Sequence, residues 1–183
     1  MSPRFGLIYD LTDELAVFAN TSRSFKPNRG ADRQGNAFDP EEGVAHEVGI
    51  KYDMADRDLS LTAAVFHIVK ENVLTTDPLD TTRSIAAGEV RSRGFDINVA
   101  GNITPQWRVI GGYAYVDAEV TESTSTTMPV GSRLGNVPRH SFNLLDTYEF
   151  DGGPLAGLGV GIGLKYVSER QGQTSNNTFD MDG

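Results

Sequence analysis

Apolar and polar residues alternate with a period of two along most of this 183-residue chain. Between residues 138 and 150, for example, Phe142, Leu144 and Tyr148 alternate with polar side chains such as Asn143 and Thr147. A period of two places successive side chains on opposite faces of a β-strand, and no segment sustains the spacing of an amphipathic helix. The pattern predicts about eight strands, at residues 4–10, 15–25, 44–53, 59–75, 84–101, 107–121, 138–150 and 158–170.

The links between the predicted strands alternate in length. Short links occupy 10–14, 54–58, 102–106 and 151–157, and longer links occupy 26–43, 76–82 and 121–137. In an up-and-down antiparallel meander, alternate links lie at the same end of the sheet. We therefore expect one end with tight turns and the other with long polar loops, an asymmetry typical of outer-membrane barrels.

The length of the predicted strands favours a membrane-spanning sheet over a soluble sandwich. Strands of sandwiches usually have about 3–10 residues, whereas a tilted strand needs about 9–11 residues for the bilayer alone. We expect the apolar faces to point outward and to be exposed within this chain. The residues expected on this outer face are Val48, Ile50, Tyr52, Phe95, Ile97, Val99, Phe142, Leu144, Leu158, Val160, Ile162 and Leu164.

Aromatic residues lie near the ends of the predicted strands, where the two interfaces of a membrane would place them. They are Phe5, Tyr9, Phe25, Tyr52, Trp107, Tyr148, Phe150 and Tyr166. Aromatic residues are also enriched in strands generally, so a single one carries little weight. The set as a whole agrees with an aromatic girdle.

The segment GLGVGIGLKYVSER, residues 157–170, has a glycine at every second position from Gly157 to Gly163. A dinucleotide-binding loop needs the spacing G-x-G-x-x-G between a strand and a helix, and this segment has neither the spacing nor the helix. It is interpreted as a strand with one apolar face and one nearly bare face. The bare face would point into the lumen of a barrel.

Composition excludes several classes of function. The net charge of −9 argues against a nucleic-acid-binding protein, and the absence of cysteine rules out thiolate metal sites and cysteine nucleophiles. No apolar run is long enough for a transmembrane helix. The three histidines, His46, His67 and His140, fall on separate predicted strands without metal-binding spacing, and no G-x-S-x-G string is present. We therefore predict no metal site, no catalytic residues and no enzymatic activity.

Four stretches carry a resemblance to a known family. They are SPRFGLIYDLTDELAVFANTSRSFKPN, FDPEEGVAHEVGIKYD, AAGEVRSRGFDINVAGNITPQWRVIGGYAYVDAEVT and GSRLGNVPRHSFNLLDTYEF. Their order and content resemble the C-terminal half of the barrel of TonB-dependent siderophore receptors, over about residues 2–170. The resemblance implies a transmembrane β-barrel of 22 antiparallel strands, plugged by an N-terminal domain, in the outer membrane of a Gram-negative bacterium.

The resemblance also implies a function and a set of partners. Such receptors import ferric siderophores, so the implied ligand is a transported chelate and no resident cofactor is expected. The implied partners are the ferric siderophore, outer-membrane lipid and lipopolysaccharide, and the TonB complex, which acts through the plug. Residues 1–183 are expected to be a partial barrel domain without that plug, so these functions are expected of the parent receptor.

Ferric chelates are often anionic, and arginine suits bidentate binding of oxygen anions. The candidate ligand contacts on the predicted loops are Arg29, Arg33, Arg133 and Arg139; salt bridges or lipopolysaccharide phosphates are alternative roles for them. Two other functions remain open. One is the same barrel with another cargo, such as a cobalamin, a heme or an oligosaccharide. The other is a secreted all-β binding module whose apolar faces pack together in water.

Overall fold

The chain forms one long antiparallel meander in a computed structural model, which describes residues 2–32, 34–54, 56, 58–77, 80–126, 128–172 and 180–181. The strands of the main sheet are β1 (Arg4–Asp10), β2 (Leu15–Lys26), β3 (Glu41–Met54), β4 (Leu59–Asp77), β5 (Asp80–Thr104), β6 (Trp107–Ser123), β7 (His140–Glu149) and β8 (Gly159–Val167). A 3₁₀ turn at Gly153–Leu155 precedes β8, and β9 (Arg170–Gln171) pairs with β10 (Asp180–Met181). No helix in the described ranges is long and apolar enough to cross a membrane.

Every strand of the main sheet pairs with its neighbours in sequence, in the order β1-β2-β3-β4-β5-β6-β7-β8. The predicted meander is therefore confirmed, and the alternative of two facing sheets around a common core is wrong. Because consecutive strands are antiparallel, the links at 11–14, 55–58, 105–106 and 150–158 lie at one end, here called the turn end. The other links lie at the opposite end, here called the loop end.

The register places eleven of the twelve residues predicted for the outer face on one side of the sheet; Leu158 lies just before β8. Val48, Val65 and Phe95 follow one another across β3, β4 and β5, and Leu144 lies opposite Leu164. Of the twelve predicted side chains none is buried, and Ile162 is 56% exposed. We call this side of the sheet the apolar face.

The opposite face combines small and polar residues with a few large apolar side chains. Phe18 lies directly opposite Gly49 and Phe66 opposite Gly94, so each aromatic ring covers a glycine on the neighbouring strand. A Cβ added at Gly94 would lie 1.9 Å from the backbone oxygen of Tyr115. These glycines therefore allow rings and backbones to approach closely, which stabilises cross-strand pairs.

The bare side of β8 lies on this opposite face, as predicted. Gly161 and Gly163 lie opposite Thr147 and Leu145, and Lys165 follows on the same side. Gly157 differs from the prediction, since it lies before β8 in the turn and has φ +84. That left-handed conformation ends the turn and admits glycine at no steric cost.

Aromatic side chains lie at both ends of the strands, as expected. At the turn end, the Trp107 indole donates a hydrogen bond to the Asp146 carboxylate, and the Tyr52 hydroxyl lies 3.1 Å from Glu14. The bond from Trp107 explains how a carboxylate is accommodated on the apolar face, since a buried charge needs a partner. Phe5, Phe25 and Tyr166 lie near the loop ends of their strands.

The bounds of the predicted loop at 76–82 are wrong. β4 continues to Asp77 and β5 begins at Asp80, so both strands of this long hairpin extend into the predicted loop; residues 78 and 79 lie outside the described residues. Threonines favour strands, and Thr75 and Thr76 pair with Ile85 and Ser84 of β5. β5 consequently has 25 residues, far more than the bilayer needs.

Candidate ligand-binding surface at the loop end

Three strands continue well beyond the apolar face at the loop end. Residues 73–77 of β4, 80–92 of β5 and 117–123 of β6, together with the connection 124–139, are called the extension here. On β5 the outward side chains change from Phe95 to Arg93 and Arg91, which marks where the apolar face ends. The extension therefore stands in the position where the loops of an outer-membrane barrel meet the external medium.

The extension contains the hydrophobic core of the described residues. Val90, Val120 and Met128 are buried, and Val73, Ile85 and Leu134 pack against them. Val90 and Val120 lie opposite each other, on the face of the sheet away from Arg91 and Glu119. Met128 comes from the β6–β7 connection, so this connection folds back over the strands instead of extending into solvent.

The same connection covers the free edge of β6. β7 pairs with β6 only up to Tyr115; beyond that point the Leu134 amide donates to the Ala118 oxygen and the Val120 amide to the Ser132 oxygen. An open strand edge is a site of unwanted pairing. The returning chain satisfies these backbone groups and fixes its own position.

A pair of asparagines ties the β2–β3 connection to the long hairpin. The Asn28 side chain donates to the backbone oxygens of Asp39 and Asn72, both at 2.8 Å, and the Asn72 side chain donates to the Pro40 oxygen at 3.0 Å. Asn72 has φ 56 and lies in an irregularity between β4 and β5. Asparagine tolerates this left-handed conformation better than most residues.

The tip of the β2–β3 connection is organised around Asp32. Its carboxylate accepts hydrogen bonds from the amides of Gln34 and Asn36 and from the Asn36 side chain. The hydrogen bond from the Asn36 side chain, followed by that from its backbone, lowers the pKa of Asp32 below its usual value of 3.8. This part of the connection is a compact turn with its own hydrogen bonds.

The structure does not bring the candidate arginines together. Arg29 is exposed on the β2–β3 connection, and Arg33 lies outside the described residues. Arg133 is half-buried and forms a backbone bridge with Glu119. The Arg139 guanidinium lies 3.7 Å from the carboxylate of Asp117, which already holds Arg93 at 3.1 Å. The charge of Arg139 is therefore partly compensated, although Arg139 and Arg29 are both exposed.

Sequence reasoning missed a ladder of ion pairs just beyond the apolar face. Arg93 pairs with Asp117, and Arg91 pairs with Glu119 on the next row. All four residues lie on the same side as Phe95 and Tyr115. The change from apolar to charged residues within one strand was a signal for them, but the pairing depends on the β5–β6 register.

A cleft of about 560 Å³ in the extension is acidic. Its lining consists of Glu71, Asn72, Ala86, Gly88, Glu89, Glu122, Ser123 and Thr124. Three carboxylates disfavour an anionic ligand there. Within the described residues there is no cluster of three or more side chains that could hold a metal ion.

The histidines are arranged differently from what their spacing suggested. They do fall on three strands, but His46 on β3 lies directly opposite His67 on β4. His140 lies apart on β7, where its Nδ1 is 2.8 Å from the Tyr113 hydroxyl.

An eight-stranded meander with an apolar outer face, aromatic ends and long loops at one end defines the class of outer-membrane barrel sheets. The family described as TonB dependent receptor-like, beta-barrel, matches residues 1–183. The chain therefore belongs to the TonB-dependent receptor β-barrel family. The members of this family are transporters and not enzymes, and they lie in the outer membrane of Gram-negative bacteria, as the sequence predicted.

Individual relatives agree with this assignment. The chain is 49% identical over 180 residues to the metal-pseudopaline receptor CntO of Pseudomonas aeruginosa, covering 98% of this chain and 25% of the relative. It is 36% identical over 174 residues to the ferrichrome outer membrane transporter/phage receptor of Escherichia coli, covering 95% of this chain and 23% of the relative. The chain thus spans about a quarter of the length of these curated relatives.

Solved structures show the same arrangement of strands. The crystal structure of the ferric-catecholate import receptor Fiu from Escherichia coli matches with a TM-score of 0.75 and 30% identity, over 95% of this chain and 25% of that one. The ferripyoverdine receptor of Pseudomonas aeruginosa, solved with ferripyoverdine bound, matches with a TM-score of 0.76 and 26% identity, over 98% and 24%. The fold assigned from the strand pattern is confirmed.

Proposed function

We propose that this chain is part of the barrel of an outer-membrane receptor that imports a metal chelate, with a ferric siderophore as the expected cargo. The observation that carries the proposal is the set of relatives: a metal-pseudopaline receptor at 49% identity and a ferrichrome transporter at 36%. The arrangement of the loops supports it, since the extension and the β2–β3 connection form an ordered surface at one end. Loops held on a rigid scaffold are the usual position of binding residues.

The sheet itself requires further strands. β1 and β8 each pair on one side only among the described strands, and a bilayer does not tolerate an open sheet edge. We propose that the parent receptor closes the barrel with additional strands and contains a plug domain through which the TonB complex acts. Lipid and lipopolysaccharide would surround the apolar face and the ladder of ion pairs.

Among the candidate contacts, Arg29 and Arg133 are proposed to bind the chelate, together with Arg33. Arg139 is expected to contribute less because Asp117 lies 3.7 Å from its guanidinium. A charge-assisted hydrogen bond contributes about 1.5–3 kcal/mol, which corresponds to roughly a tenfold change in affinity or more. An uncharged oligosaccharide cargo would not depend on these cations in the same way.

Binding of radiolabelled metal chelates to cells that express the intact receptor tests the proposal. A panel of ferrichrome, a ferric catecholate, metal-pseudopaline and cobalamin identifies the cargo class. Arg29→Ala and Arg133→Ala should each weaken binding of the preferred chelate about tenfold. Arg108→Ala is the matched control, because this arginine lies near the turn end of β6. Preference for cobalamin over every chelate would refute the metal-chelate cargo, and unchanged affinity in both loop variants would refute their role.

A further inference from the structure

His46 and His67 are directly opposite each other in the register of β3 and β4, and both side chains are exposed on the apolar face. Directly opposite residues of antiparallel strands have Cβ atoms about 4.5–5.5 Å apart. Among the described residues neither imidazole has a hydrogen bond or an ion pair to any side chain or backbone group. Two imidazoles without a partner among the described residues therefore occupy the same row of two neighbouring strands.

The surroundings of the pair are apolar on both sides along the strands. Val48 and Val65 form the next row toward the turn end, and Val44 and Val69 form the next row toward the loop end. A polar group in such a setting is unfavourable unless it finds a partner. The pair thus interrupts the valines of β3 and β4 at the level of Arg93 and Asp117, where the apolar face ends.

One charged side chain directly flanks the pair, on the neighbouring strand β5. Thr21 on β2 lies opposite His46, and Arg93 on β5 lies opposite His67. Arg93 is held at 3.1 Å by Asp117, which offsets its positive charge. The row of Glu42 and Glu71 lies four residues farther toward the loop end, about 13 Å along the strand. The pair itself is level with the ion pair of Arg93 and Asp117, at the boundary where charged side chains replace apolar ones.

We propose that His46 and His67 form a two-imidazole binding site for a divalent transition metal such as Cu²⁺, Ni²⁺ or Zn²⁺. Neutral imidazole is a good ligand for these ions, with a metal–nitrogen distance of about 2.0–2.1 Å for zinc. Water completes the coordination, because no third protein ligand is available among the described residues. The site is separate from the loop surface proposed to bind the chelate, and it takes up the free metal ion. A bound ion links β3 to β4 and also satisfies both imidazoles.

His140 provides a matched control on the same face. Its Nδ1 lies 2.8 Å from the Tyr113 hydroxyl, and its ring centre is 5.2 Å from that of Tyr115. This imidazole already has partners and has no second histidine opposite it. It should contribute nothing to metal binding.

The experiment uses the intact receptor in detergent micelles, titrated with Cu²⁺, Ni²⁺ and Zn²⁺ as simple salts without any siderophore. We expect Cu²⁺ to bind tightest, in keeping with the general order of divalent affinities, and its electron paramagnetic resonance spectrum to show two nitrogen ligands. His46→Ala and His67→Ala should each weaken Cu²⁺ binding by more than the roughly tenfold loss typical of an outer-shell partner. His140→Gln should bind like the natural protein.

A second readout separates metal binding from damage to the fold. Excess Cu²⁺ should raise the temperature at which the folded gel band of the natural receptor converts to the unfolded band, because a ligand that binds only the folded state stabilises it. The two alanine variants should keep the folded band but lose this shift. Equal Cu²⁺ binding by the double variant and the natural receptor, or an equal loss in His140→Gln, would overturn the proposal. Chelate uptake is measured in parallel, and its failure would count against the proposed function only.

Discussion

The membrane-facing half of the sheet and the extension at the loop end bury apolar surface in different ways. In the first half, large side chains such as Val48 and Ile162 point outward and remain exposed, while the inner side carries glycines, two of which are covered by the rings of Phe18 and Phe66. In the extension the polarity is reversed, since Arg91 and Glu119 point outward and Val90, Val120 and Met128 form a core inside. The apolar side chains of the first half are buried only by lipid, whereas those of the extension are buried by other residues of the chain.

The two regions are therefore stabilised in different ways, even where they share a strand. β5 passes through both environments, and the side of the strand that carries its apolar residues changes between Phe95 and Val90. Damage to the membrane half should prevent assembly of the barrel. Damage to the extension should stay local, because its core is built from its own strands and the β6–β7 connection. The following changes test this division, starting with the largest expected effect.

Gly94→Ala should disrupt the membrane half most severely. The added Cβ would lie 1.9 Å from the Tyr115 oxygen and 2.9 Å from the ring of Phe66. Backbone cannot yield as a side chain can, so we expect a loss of about 3 kcal/mol or more and little folded receptor by heat-modifiable gel mobility. Gly159→Ala is the control, since a Cβ there meets nothing within 4 Å. Normal assembly of the Gly94 variant would contradict the proposed close approach.

Met128→Ala should loosen the packing of the β6–β7 connection against β5 and β6, without affecting assembly of the barrel. Removing a buried methionine side chain costs about 2–5 kcal/mol, and here that cost falls on the β6–β7 connection. Trypsin applied to intact cells should then cleave after Arg133, which is half-buried in the natural protein, while heat-modifiable mobility stays unchanged. Val130→Ala is the control because Val130 is 62% exposed in the same connection. Loss of the folded band in the Met128 variant would show that the two regions are not independent.

Substitution of Asn72 should destabilise the β2–β3 connection less than Met128→Ala destabilises the β6–β7 connection. Two substitutions separate the hydrogen bond of the Asn72 side chain from its left-handed backbone conformation. Asn72→Gly keeps the left-handed backbone but loses the bond to the Pro40 oxygen, for a cost of about 1 kcal/mol. Asn72→Ala loses the bond and adds strain of about 1–2 kcal/mol. Hydrogen exchange of residues 27–40 should rise in both variants, and more in the alanine variant. Equal exchange in the two variants would mean that backbone strain at Asn72 is negligible.

The smallest effect concerns the pH dependence of the Asp32 turn. Because hydrogen bonds lower the pKa of Asp32, its stabilising effect is present above the usual value of 3.8 and is lost as the pH falls through the lowered pKa. A nitroxide label on a cysteine that replaces Gln34 should become more mobile only at such acid pH. Asp32→Asn should be mobile at neutral pH and insensitive to acid. A label whose mobility is independent of pH in the natural sequence would refute the role of this carboxylate.

Much of the fold followed from the sequence because alternation reports directly on which side chains face lipid. β1 was predicted with its observed bounds of 4–10, and the start of β6 at Trp107 was also correct. The extension of β4 and β5 into 76–82 was missed because the proline and aspartates of this segment resemble a loop. Strand pairing outweighed these residues once the neighbouring threonines extended both strands.

The arrangement of side chains between strands could not be read from the sequence in the same way. His46 lies opposite His67 because of the register of β3 and β4, in which Met54 pairs with Leu59. A shift of this register by one residue would turn one histidine to the other face of the sheet. The hydrogen bond from Asn28 to Asn72 likewise depends on an irregularity in β4, which the alternation of apolar and polar residues does not predict. The arginine candidates rested on residue type and loop position, which do not determine where a guanidinium points.

The strictly sequential order of the strands has a consequence for how the sheet can be made and altered. Each strand needs only the preceding one as a template, so pairing can advance along the chain one hairpin at a time without waiting for distant segments. The entropy of closing each connection grows only slowly with its length, so lengthening a link at the loop end adds little to the cost of the next pairing step. Hairpins are therefore the natural units of assembly, and the outer connections can diverge in length and content while the order of the strands is kept.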